Sequence, residues 1–260
     1  SGGNDSFTGS NADESYRYAG GNNMLDGGAG FDRLRYDSFE VTSVNIDASA
    51  GTATGTLQGG GTFTDTISGF ERLRGSDGND RIIGDASDDR LEGRGGNDTL
   101  AGGQGNDFIQ LGGGADTYVY SGGIDVLADF EIGIDSIVID IPGVTQAQVD
   151  AAFANPQVFE GATFVDFGVP GQNLNFGSLS VADVQSINAT VASGGASLIQ
   201  GTDGDDVLIG TAGDDLIVTG NSTPFGDFVI ASTGNDTIFM SDNDGQNGFI
   251  ALNYGGLAGP

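Results

Sequence analysis

Aspartate recurs at every ninth residue in the middle of the chain, a spacing that could build a series of cation sites. A small residue stands two places before each of these aspartates and a large apolar residue two places after it. Carboxylates and turn carbonyls supply the all-oxygen shell that Ca²⁺ prefers over softer metals. The pattern therefore predicts repeated calcium sites, with the aspartates as ligands: Asp80, Asp89, Asp98, Asp107 and Asp116.

Each nine-residue unit divides into a glycine-rich turn of six residues and a strand of three. Glycine permits the positive φ angles of a tight turn, whereas the Thr99 to Ala101 segment is typical of extended chain. Side chains alternate across a strand, so only the middle residue of each strand is buried. Two units should close one coil of a parallel β-solenoid, with a thin apolar core between its two sheets.

Aspartates eighteen residues apart should then stack along one edge, separated by a strand spacing of roughly 4.8 Å. At an effective dielectric constant near 20, two such carboxylates repel each other by roughly 3 kcal/mol. A cation between successive coils reverses the sign of this term, so we expect calcium binding and folding to be coupled. The predicted same-edge pairs are Asp80 with Asp98, Asp98 with Asp116, and Asp89 with Asp107.

Two further arrays keep the spacing with altered chemistry. In the first array the ligand positions are Asp5, Glu14, Asn23 and Asp32. Because Asn23 offers only a neutral oxygen, the Asp5–Asn23 pair should bind calcium less tightly than the Glu14–Asp32 pair. In the last array an insertion around residues 223–225 separates the first two ligand positions from the last two, which are Asp206, Asp215, Asp227 and Asp236. The insertion makes Asp215 and Asp236 the expected same-edge pair.

The segments between the arrays do not follow the nine-residue repeat. Alternating stretches such as Val41–Ile46 and Thr62–Ile67 predict longer strands, either a wider solenoid turn or a hairpin beside the solenoid. Further strands and one short helix from Thr145, ended before Pro156, predict a capping region, because a solenoid end exposes unpaired backbone. The predicted order is a first array (1–35), a β-strand insert (36–74), the main array (75–120), a β-rich cap or interleaved region (121–200), a third array (201–240) and a degenerate tail (241–260).

Composition excludes several classes of function. The 260 residues include no His and no Cys, which removes thiol chemistry, disulfides and the ordinary zinc ligands. The net charge is −29, all eight basic residues are Arg, and none lies beyond Arg94. Such a surface repels nucleic acid and anionic membranes and favours cations. The sequence also lacks an apolar stretch long enough for a transmembrane helix, so we expect no membrane insertion.

The segment from Gly93 to Gln110 fits the pattern G-G-x-G-x-D-x-U-x twice, where U is a large apolar residue, and so resembles the calcium-binding nonapeptide of hemolysin-type RTX proteins. The resemblance implies an all-β fold, a parallel β-roll that folds on binding calcium. It also implies membership of large bacterial proteins exported by type I secretion, among them toxins, enzymes, adhesins and surface-layer proteins. Glu14, Asn23 and Ser87 depart from the family pattern. Because residue 1 lies partway through a repeat, we expect the chain to be part of a longer polypeptide.

These observations favour a secreted or cell-surface structural module over an enzyme. The weak sites of such a module fill where calcium is roughly millimolar, outside cells. Without His, the chain can form neither a metalloprotease motif nor a serine hydrolase triad. The alternative is a calcium-dependent carbohydrate-binding module in which tyrosines such as Tyr16, Tyr18, Tyr36 and Tyr120 stack on sugar rings. A further hypothesis is self-association through calcium, with Asp242 and Asp244 as unpartnered acids near the C-terminus.

Overall fold

The structure is a computed structural model that describes residues 3–192 and, beyond them, the backbone of six short strands. These six strands are residues 198–200, 207–209, 216–219, 228–230, 237–240 and 251–252. The chain divides into two compact units, one of residues 1–138 and 150–189 and the other of residues 139–149 and 190–260. Among the described residues, no helix has the length and hydropathy needed to cross a membrane.

Short strands joined by tight turns make up the chain as far as residue 191. In chain order they are β1 (Ser6–Thr8), β2 (Ser15–Arg17), β3 (Met24–Asp26), β4 (Arg33–Arg35), β5 (Val41–Asp47), β6 (Thr52–Leu57), β7 (Thr62–Ser68), β8 (Arg72–Arg74), β9 (Arg81–Ile83), β10 (Arg90–Gly95), β11 (Thr99–Ala101), β12 (Phe108–Gly113), β13 (Thr117–Tyr120), β14 (Ile124–Leu127), β15 (Ser136–Ile139), β16 (Gln157–Phe159), β17 (Ala162–Asp166), β18 (Asn173–Asn175) and β19 (Thr190–Val191). Two helices, α1 (Gln146–Ala154) and α2 (Val181–Gln185), accompany them.

The strands of the first unit form a parallel β-roll of two sheets, as the nine-residue period predicts. One sheet runs β1-β3-β7-β6-β5-β9-β11-β13-β15 and the other β16-β17-β18-β14-β12-β10-β8-β4-β2. Successive units alternate between the sheets, so within an uninterrupted array each strand pairs with the strand eighteen residues away. Leu100 lies opposite Ile82 in one sheet, and Leu91 lies opposite Ile109 in the other. The prediction of half a coil per nonapeptide is confirmed.

The insert between the first two arrays lies within the plane of one sheet. Its strands β5, β6 and β7 pair antiparallel with one another, and their outer members pair in parallel with β3 and β9. In the opposite sheet β4 pairs directly with β8, so the roll continues there without added strands. The insert is therefore an in-plane meander, neither a wider solenoid turn nor a hairpin beside the roll.

Antiparallel strands cover the edge of the second sheet beyond β14. Strand β18 pairs in parallel with β14, and β17 and β16 then add in antiparallel order. Phe153 of α1 lies 6.2 Å from Phe167 and 6.0 Å from Phe176 between ring centroids. These strands and rings extend the sheet and the apolar core beyond β14; that the whole of 121–200 serves as a cap stays a prediction. Helix α1 begins after Thr145, whose hydroxyl and backbone N–H both donate to the Gln148 side chain.

The core is the column of middle residues from each three-residue strand. Leu25, Leu34, Ile82, Leu91, Leu100, Ile109 and Tyr118 are all at most 1% exposed, as the repeat phase predicts. Phe7 and Tyr16 hold the same repeat positions but are only half-buried, because the first coil has a neighbour on one side alone. Each fully buried side chain of this size contributes about 1.5–3 kcal/mol, so the thin core is the main source of apolar stabilisation.

The second unit carries the strands that follow residue 197: β20 (Leu198–Gln200), β21 (Val207–Ile209), β22 (Leu216–Thr219), β23 (Phe228–Ile230), β24 (Thr237–Met240) and β25 (Ala251–Leu252). They form two parallel sheets, β20-β22-β24 and β21-β23-β25. Ile217 pairs with Ile199 eighteen residues earlier and with Ile238 twenty-one residues later. The three-residue insertion is therefore accommodated between strands while the pairing resumes in phase, as the sequence predicts.

Candidate calcium sites

The repeat aspartates of the main array fold back over their own glycine-rich turns. One carboxylate oxygen of Asp89, Oδ2, accepts a 2.8 Å hydrogen bond from the Asp85 backbone N–H four residues earlier. Asp80 accepts the equivalent bond, at 2.6 Å, from Ser76. Asp80 and Asp89 thus each close the turn that precedes their strand, a position that the alternation of turn and strand fixes locally, whereas Oδ2 of Asp98, Asp107 and Asp116 has no such donor.

The second carboxylate oxygen reaches the adjacent coil, which joins the coils into ladders. Each aspartate N–H donates to the Oδ1 atom of the aspartate eighteen residues later: Asp80 to Asp98 at 2.8 Å, Asp98 to Asp116 at 2.7 Å, Asp89 to Asp107 at 2.8 Å and Asp107 to Asp125 at 3.0 Å. The three predicted same-edge pairs are therefore adjacent in the structure. Their role as metal ligands stays a prediction.

Several of these carboxylates retain an oxygen atom that is buried and has no hydrogen-bond partner. The atoms are Asp32 Oδ2, Asp89 Oδ1, Asp98 Oδ2, Asp107 Oδ2 and Asp116 Oδ2. An unpaired buried oxygen of a carboxylate is costly, because nothing replaces the water that it loses. All five belong to positions that the sequence predicts as ligands, and a cation would satisfy them.

Burial also shifts the protonation of these groups in the metal-free roll. Desolvation raises the pKa of Asp80 to about 6, that of Asp89 and Asp98 to about 7, and that of Asp107 to about 8. Backbone hydrogen bonds oppose the shift without cancelling it, and neighbouring carboxylates add to it. Charged carboxylates are therefore disfavoured at these positions unless a positive charge accompanies them.

Backbone carbonyls converge on the same places. A Cβ atom built on Gly93 would lie 2.5 Å from Asp98 Oδ2 and closer still to the carbonyl oxygen of Leu111 in the next coil. A Cβ on Gly75 would likewise approach Asp80 Oδ2 and lie 2.9 Å from the Gly93 carbonyl oxygen. The first glycine of the repeat leaves open a gap bordered by carboxylate and carbonyl oxygens. This donor set suits a hard cation such as Ca²⁺.

Few carboxylates gather at any one place. Among residues 3–192 and the six strands beyond them, no three His, Cys, Asp or Glu side chains converge as metal ligands. A site built from the ladders would therefore combine two carboxylates from adjacent coils with backbone carbonyls. Residues Asp80, Asp89, Asp98, Asp107, Asp116 and Asp32 fit such a donor set.

The first array contains two substitutions with different consequences. Glu14 takes the place of an aspartate: it accepts hydrogen bonds from the Ser10 hydroxyl and backbone N–H, and its own N–H donates to Asp32 Oδ1 at 2.6 Å. The Ser10 hydroxyl and backbone bonds are the main reasons that the pKa of Glu14 is lowered. Glu14 therefore stays charged and keeps the ladder geometry.

Asn23 changes the chemistry of its ladder. Its Oδ1 accepts a 2.9 Å hydrogen bond from the Asp5 N–H, and its Nδ2 donates a 2.9 Å hydrogen bond to Asp65 Oδ1. The Tyr36 hydroxyl donates to the other Asp65 oxygen at 2.8 Å. Both Asp65 oxygens have protein donors, so hydrogen bonds hold this rung, unlike the rungs of Asp32, Asp89, Asp98, Asp107 and Asp116, which leave an oxygen unpaired.

The ladders include four acidic residues that the sequence analysis missed. They are Asp65, Glu71, Asp125 and Asp135, which accept backbone hydrogen bonds from Asn23, Asp32, Asp107 and Asp116 respectively. Each stands two places before a buried apolar residue, as in Asp125–Val126–Leu127. Asp125 lies nine residues after Asp116 and Glu71 nine residues before Asp80, so counting one unit further in each direction finds both. Asp65 and Asp135 do not fall on this count, and only their position two residues before a large apolar residue identifies them.

The predicted ligands of the third array and the C-terminal acids have no described side-chain contacts. Asp206, Asp215, Asp227 and Asp236 lie outside the described residues, as do Asp242 and Asp244. Their roles stay predictions, supported by the strand register of Ile217 and Ile238 alone.

The tyrosines predicted to stack on sugars lie largely in the core. Tyr18, Tyr36 and Tyr120 are at most 2% exposed, and Tyr16 is half-buried. The ring of Phe63 stacks on both Tyr18 and Tyr36, with centroids 4.2 Å and 5.4 Å away, and the two tyrosine rings are 5.6 Å apart. These rings fill the roll at the meander and do not form an exposed platform, so that route to glycan binding is wrong for the three buried tyrosines.

Comparison with known proteins agrees with this geometry. The RTX calcium-binding nonapeptide repeat (4 copies) matches residues 18–35, 65–100, 92–127, 191–223 and 221–239, which together make up half of the chain. A search of curated proteins gives no match. The crystal structure of extracellular lipase LipA from Serratia marcescens is similar at 18% identity with a TM-score of 0.30, covering 73% of this chain. The chain spans 38% of that lipase.

The chain belongs to the RTX calcium-binding nonapeptide repeat family. Repeats of this family bind Ca²⁺, act as structural calcium-binding modules and occur in extracellular proteins exported by type I secretion. In the β-roll, the eighteen-residue ladders bring carboxylate oxygens of adjacent coils close together, and several of these oxygens have no hydrogen-bond partner.

Proposed function

We propose that this chain is an extracellular structural module that becomes a folded β-roll when calcium binds between its coils. The observation that carries the proposal is the set of buried carboxylate oxygens without partners, which includes Asp98 Oδ2 and Asp107 Oδ2. A cation at each gap satisfies these oxygens and cancels the repulsion between stacked carboxylates. With calcium bound, the ladders stabilise the folded roll, whereas without it they destabilise the roll.

Calcium is the expected ion for chemical reasons. The available ligands are carboxylate, carbonyl and water oxygens, and the chain contains no His or Cys to favour zinc or copper. Ca²⁺ accepts irregular shells of six to eight oxygens, whereas Mg²⁺ requires a near-octahedral shell and dehydrates reluctantly. A gap bordered by turn carbonyls therefore suits calcium better than magnesium.

Far-UV circular dichroism tests this coupling on the whole chain. Strand signal and a cooperative thermal transition should be present in millimolar CaCl₂ and absent after dialysis against EGTA. MgCl₂ at equal ionic strength is the control for charge screening, and it should restore little of the signal. A spectrum and thermal midpoint unchanged by EGTA would overturn the proposal.

The module's role is to support or space a larger secreted or cell-surface protein of the adhesin or surface-layer type. A parallel roll that folds only when calcium is bound suits such a spacer, because calcium is scarce inside cells and roughly millimolar outside them. We assign no catalysis to this chain: most of its burial-shifted carboxylates lie in the ladders, where metal binding is their proposed use. Small-angle X-ray scattering should show a compact particle with calcium and an expanded chain without it.

Self-association through calcium stays a separate prediction. A polyanionic surface repels its copies, and a divalent ion can bridge two such surfaces where screening alone does not. Analytical ultracentrifugation in calcium and in magnesium at equal ionic strength distinguishes these effects. A monomer at every calcium concentration contradicts self-association and leaves the spacer role intact.

A further inference from the structure

Six of the eight arginines lie on one outer face of the roll, although the chain as a whole is strongly acidic. They occupy the outward positions of β2, β4, β8 and β10 and are Arg17, Arg33, Arg35, Arg72, Arg74 and Arg90. We call this set the arginine stripe. In the register, Arg33, Arg72 and Arg90 form one column, and Arg17, Arg35 and Arg74 form the other. The fold thus concentrates positive charge that the sequence only groups in its first 94 residues.

Two acids with little exposed side-chain surface hold the stripe in place: Glu92, which continues the second column beside Arg74, and Asp37, which follows β4. Glu92 contacts Arg33 at 3.1 Å and Arg72 at 3.3 Å, and it also binds Arg74. Asp37 contacts Arg17 and Arg74 at 3.1 Å each. The carboxylate side chains are only 10% and 5% exposed, whereas those of the six arginines are 21–54% exposed. The exposed surface of this cluster therefore consists mainly of guanidinium groups.

The stripe carries more positive charge than its own stability needs. The six guanidinium groups share the carboxylates of Glu92 and Asp37, and Asp37 also contacts Arg94, which pairs in addition with the exposed Asp77. Like charges directly opposite each other in neighbouring strands are destabilising. The Nε atoms of Arg33, Arg35 and Arg72 are buried and have no hydrogen-bond acceptor, whereas Arg90 Nε lies 3.3 Å from Glu92 Oε1. Glu92 lies opposite Arg74 at the end of the second column, but every other neighbouring pair within the stripe joins two arginines. The excess positive charge of the stripe is therefore available to bind an anion.

The regular spacing of the columns indicates the shape of that anion. Neighbouring strands advance by about 4.8 Å, so the stripe presents guanidinium groups in two straight rows. Planar guanidinium groups bind carboxylates through paired hydrogen bonds, and the chain uses Arg here with no Lys at all. Phe108 continues the first column, and the Arg90 guanidinium lies 4.6 Å from its ring centroid. An aromatic ring beside the charges offers an apolar surface to a sugar ring.

We propose that the arginine stripe binds a linear carboxylated polysaccharide. An extended chain with a carboxylate on each sugar repeats its charge on the scale of the strand spacing and can follow both columns. Duplex nucleic acid is a poorer occupant, because its width would bring its phosphates near the acidic remainder of a chain with net charge −29. The stripe lies on the strands, away from the turns that hold the calcium ladders. This site is therefore distinct from the calcium sites, although the folded roll must be present for it to form.

Isothermal titration of the calcium-loaded chain with hexagalacturonate tests the proposal. This oligomer carries one carboxylate per sugar, and the same free calcium concentration in cell and syringe removes the heat of calcium transfer. Maltohexaose, which has the same number of sugars and no charge, is the ligand control. We expect hexagalacturonate to bind, with an affinity that falls as salt rises, and maltohexaose not to bind.

Two matched substitutions locate the site. Arg72→Gln removes one charge from the stripe and leaves Glu92 bound to Arg74, so the buried acid keeps a partner. Arg81→Gln removes the same charge at the equivalent repeat position of the opposite sheet. Arg72→Gln should raise the dissociation constant up to about fivefold, the range of an exposed ion pair, and the double variant Arg17→Gln/Arg72→Gln further still. Arg81→Gln should leave it unchanged.

The remaining outcomes decide against the proposal. Equal dissociation constants for the Arg72→Gln and Arg81→Gln chains would place binding elsewhere on the protein. Absence of hexagalacturonate binding by a chain whose circular dichroism shows a folded roll would also overturn it, without bearing on calcium-driven folding. Concentration-dependent dimerisation that Arg17→Gln/Arg72→Gln abolishes would assign the stripe to a second copy, and tighter binding of a short DNA duplex would assign it to nucleic acid.

Discussion

The backbone N–H of Asp80 donates a 2.8 Å hydrogen bond to the carboxylate of Asp98, eighteen residues later in the chain. The same bond recurs from Asp98 to Asp116, so each coil is tied to the next by the residue that would also hold a cation. One carboxylate oxygen thus organises the backbone while the other, Asp98 Oδ2, has no partner. The two carboxylate oxygens of Asp98 therefore have different roles, one in the backbone ladder and one available to a cation.

Asp98→Ala should reduce the number of bound calcium ions more than Asp80→Ala does. Asp98 lies between two carboxylate-bearing coils, whereas the neighbour of Asp80 on its other side is the backbone N–H of Val44. Asp80 also has both oxygens hydrogen-bonded by Val44 and Ser76. Each site lost removes about 2.7 kcal/mol of stabilisation when calcium is at one hundred times its dissociation constant. Calcium stoichiometry and thermal midpoints measure the difference, and equal values for the two variants would contradict the eighteen-residue stacking.

Acid should stabilise the roll in the absence of calcium. Burial raises the pKa of Asp98 to about 7 and that of Asp107 to about 8, above the values of an unfolded chain. The folded state therefore binds more protons than the unfolded state, and stability falls as pH rises through 7 and 8. Strand signal in EGTA should increase as pH is lowered from 8 toward 4. In saturating calcium the trend should be absent or reversed, because protons compete with the metal.

Asp107→Asn provides a control for that pH dependence. An amide resembles the protonated acid, and Asn23 shows that this chain accommodates one at a ligand position. In EGTA at pH 8 the variant should be more stable than the parent chain, since no buried charge remains at residue 107. In calcium it should be less stable. The same sign of change under both conditions would show that charge burial does not limit the metal-free roll.

Tyr118→Phe should destabilise the roll more than Tyr120→Phe. Both tyrosines are fully buried, but the Tyr118 hydroxyl donates to the Asp125 carboxylate at 2.5 Å and the Tyr120 hydroxyl to the Gly123 carbonyl at 2.6 Å. Loss of a donor to a buried charged group costs about 1–3 kcal/mol or more, and less for a neutral acceptor. Urea denaturation in calcium measures both. Equal losses would indicate that Asp125 has another source of compensation.

Asn23→Asp should make the first array more dependent on calcium. The substitution replaces the Nδ2 donor to Asp65 with a second carboxylate oxygen at 2.9 Å, which introduces repulsion in the metal-free state. Calcium can bridge the two carboxylates, so the variant should gain bound calcium while its stability in EGTA falls. A matched Asn22→Asp change, at an exposed neighbouring residue, should alter neither quantity appreciably. Unchanged stoichiometry in Asn23→Asp would mean that Tyr36 and the turn already close this rung.

The sequence by itself determined the roll, its coil length and the ladder pairs of the main array. These depend on local rules: glycine-rich turns, three-residue strands with one inward side chain, and a period of nine that doubles to eighteen. Because the same rules hold in every unit, Leu100 and Asp98 can be placed without knowledge of the rest of the chain. The register of Ile217 with Ile238 follows in the same way once the insertion is counted.

The tertiary structure alone decided features that join residues outside the repeat. Asn23 meets Asp65 forty-two residues later because the meander β5-β6-β7 enters the plane of one sheet, and no local pattern encodes that path. Tyr36 reaches Asp65 for the same reason. The arginine stripe likewise depends on β4 pairing with β8 across the insert, which brings Arg33 beside Arg72. Periodicity fixes what repeats, whereas the path of the inserted chain fixes which distant side chains meet.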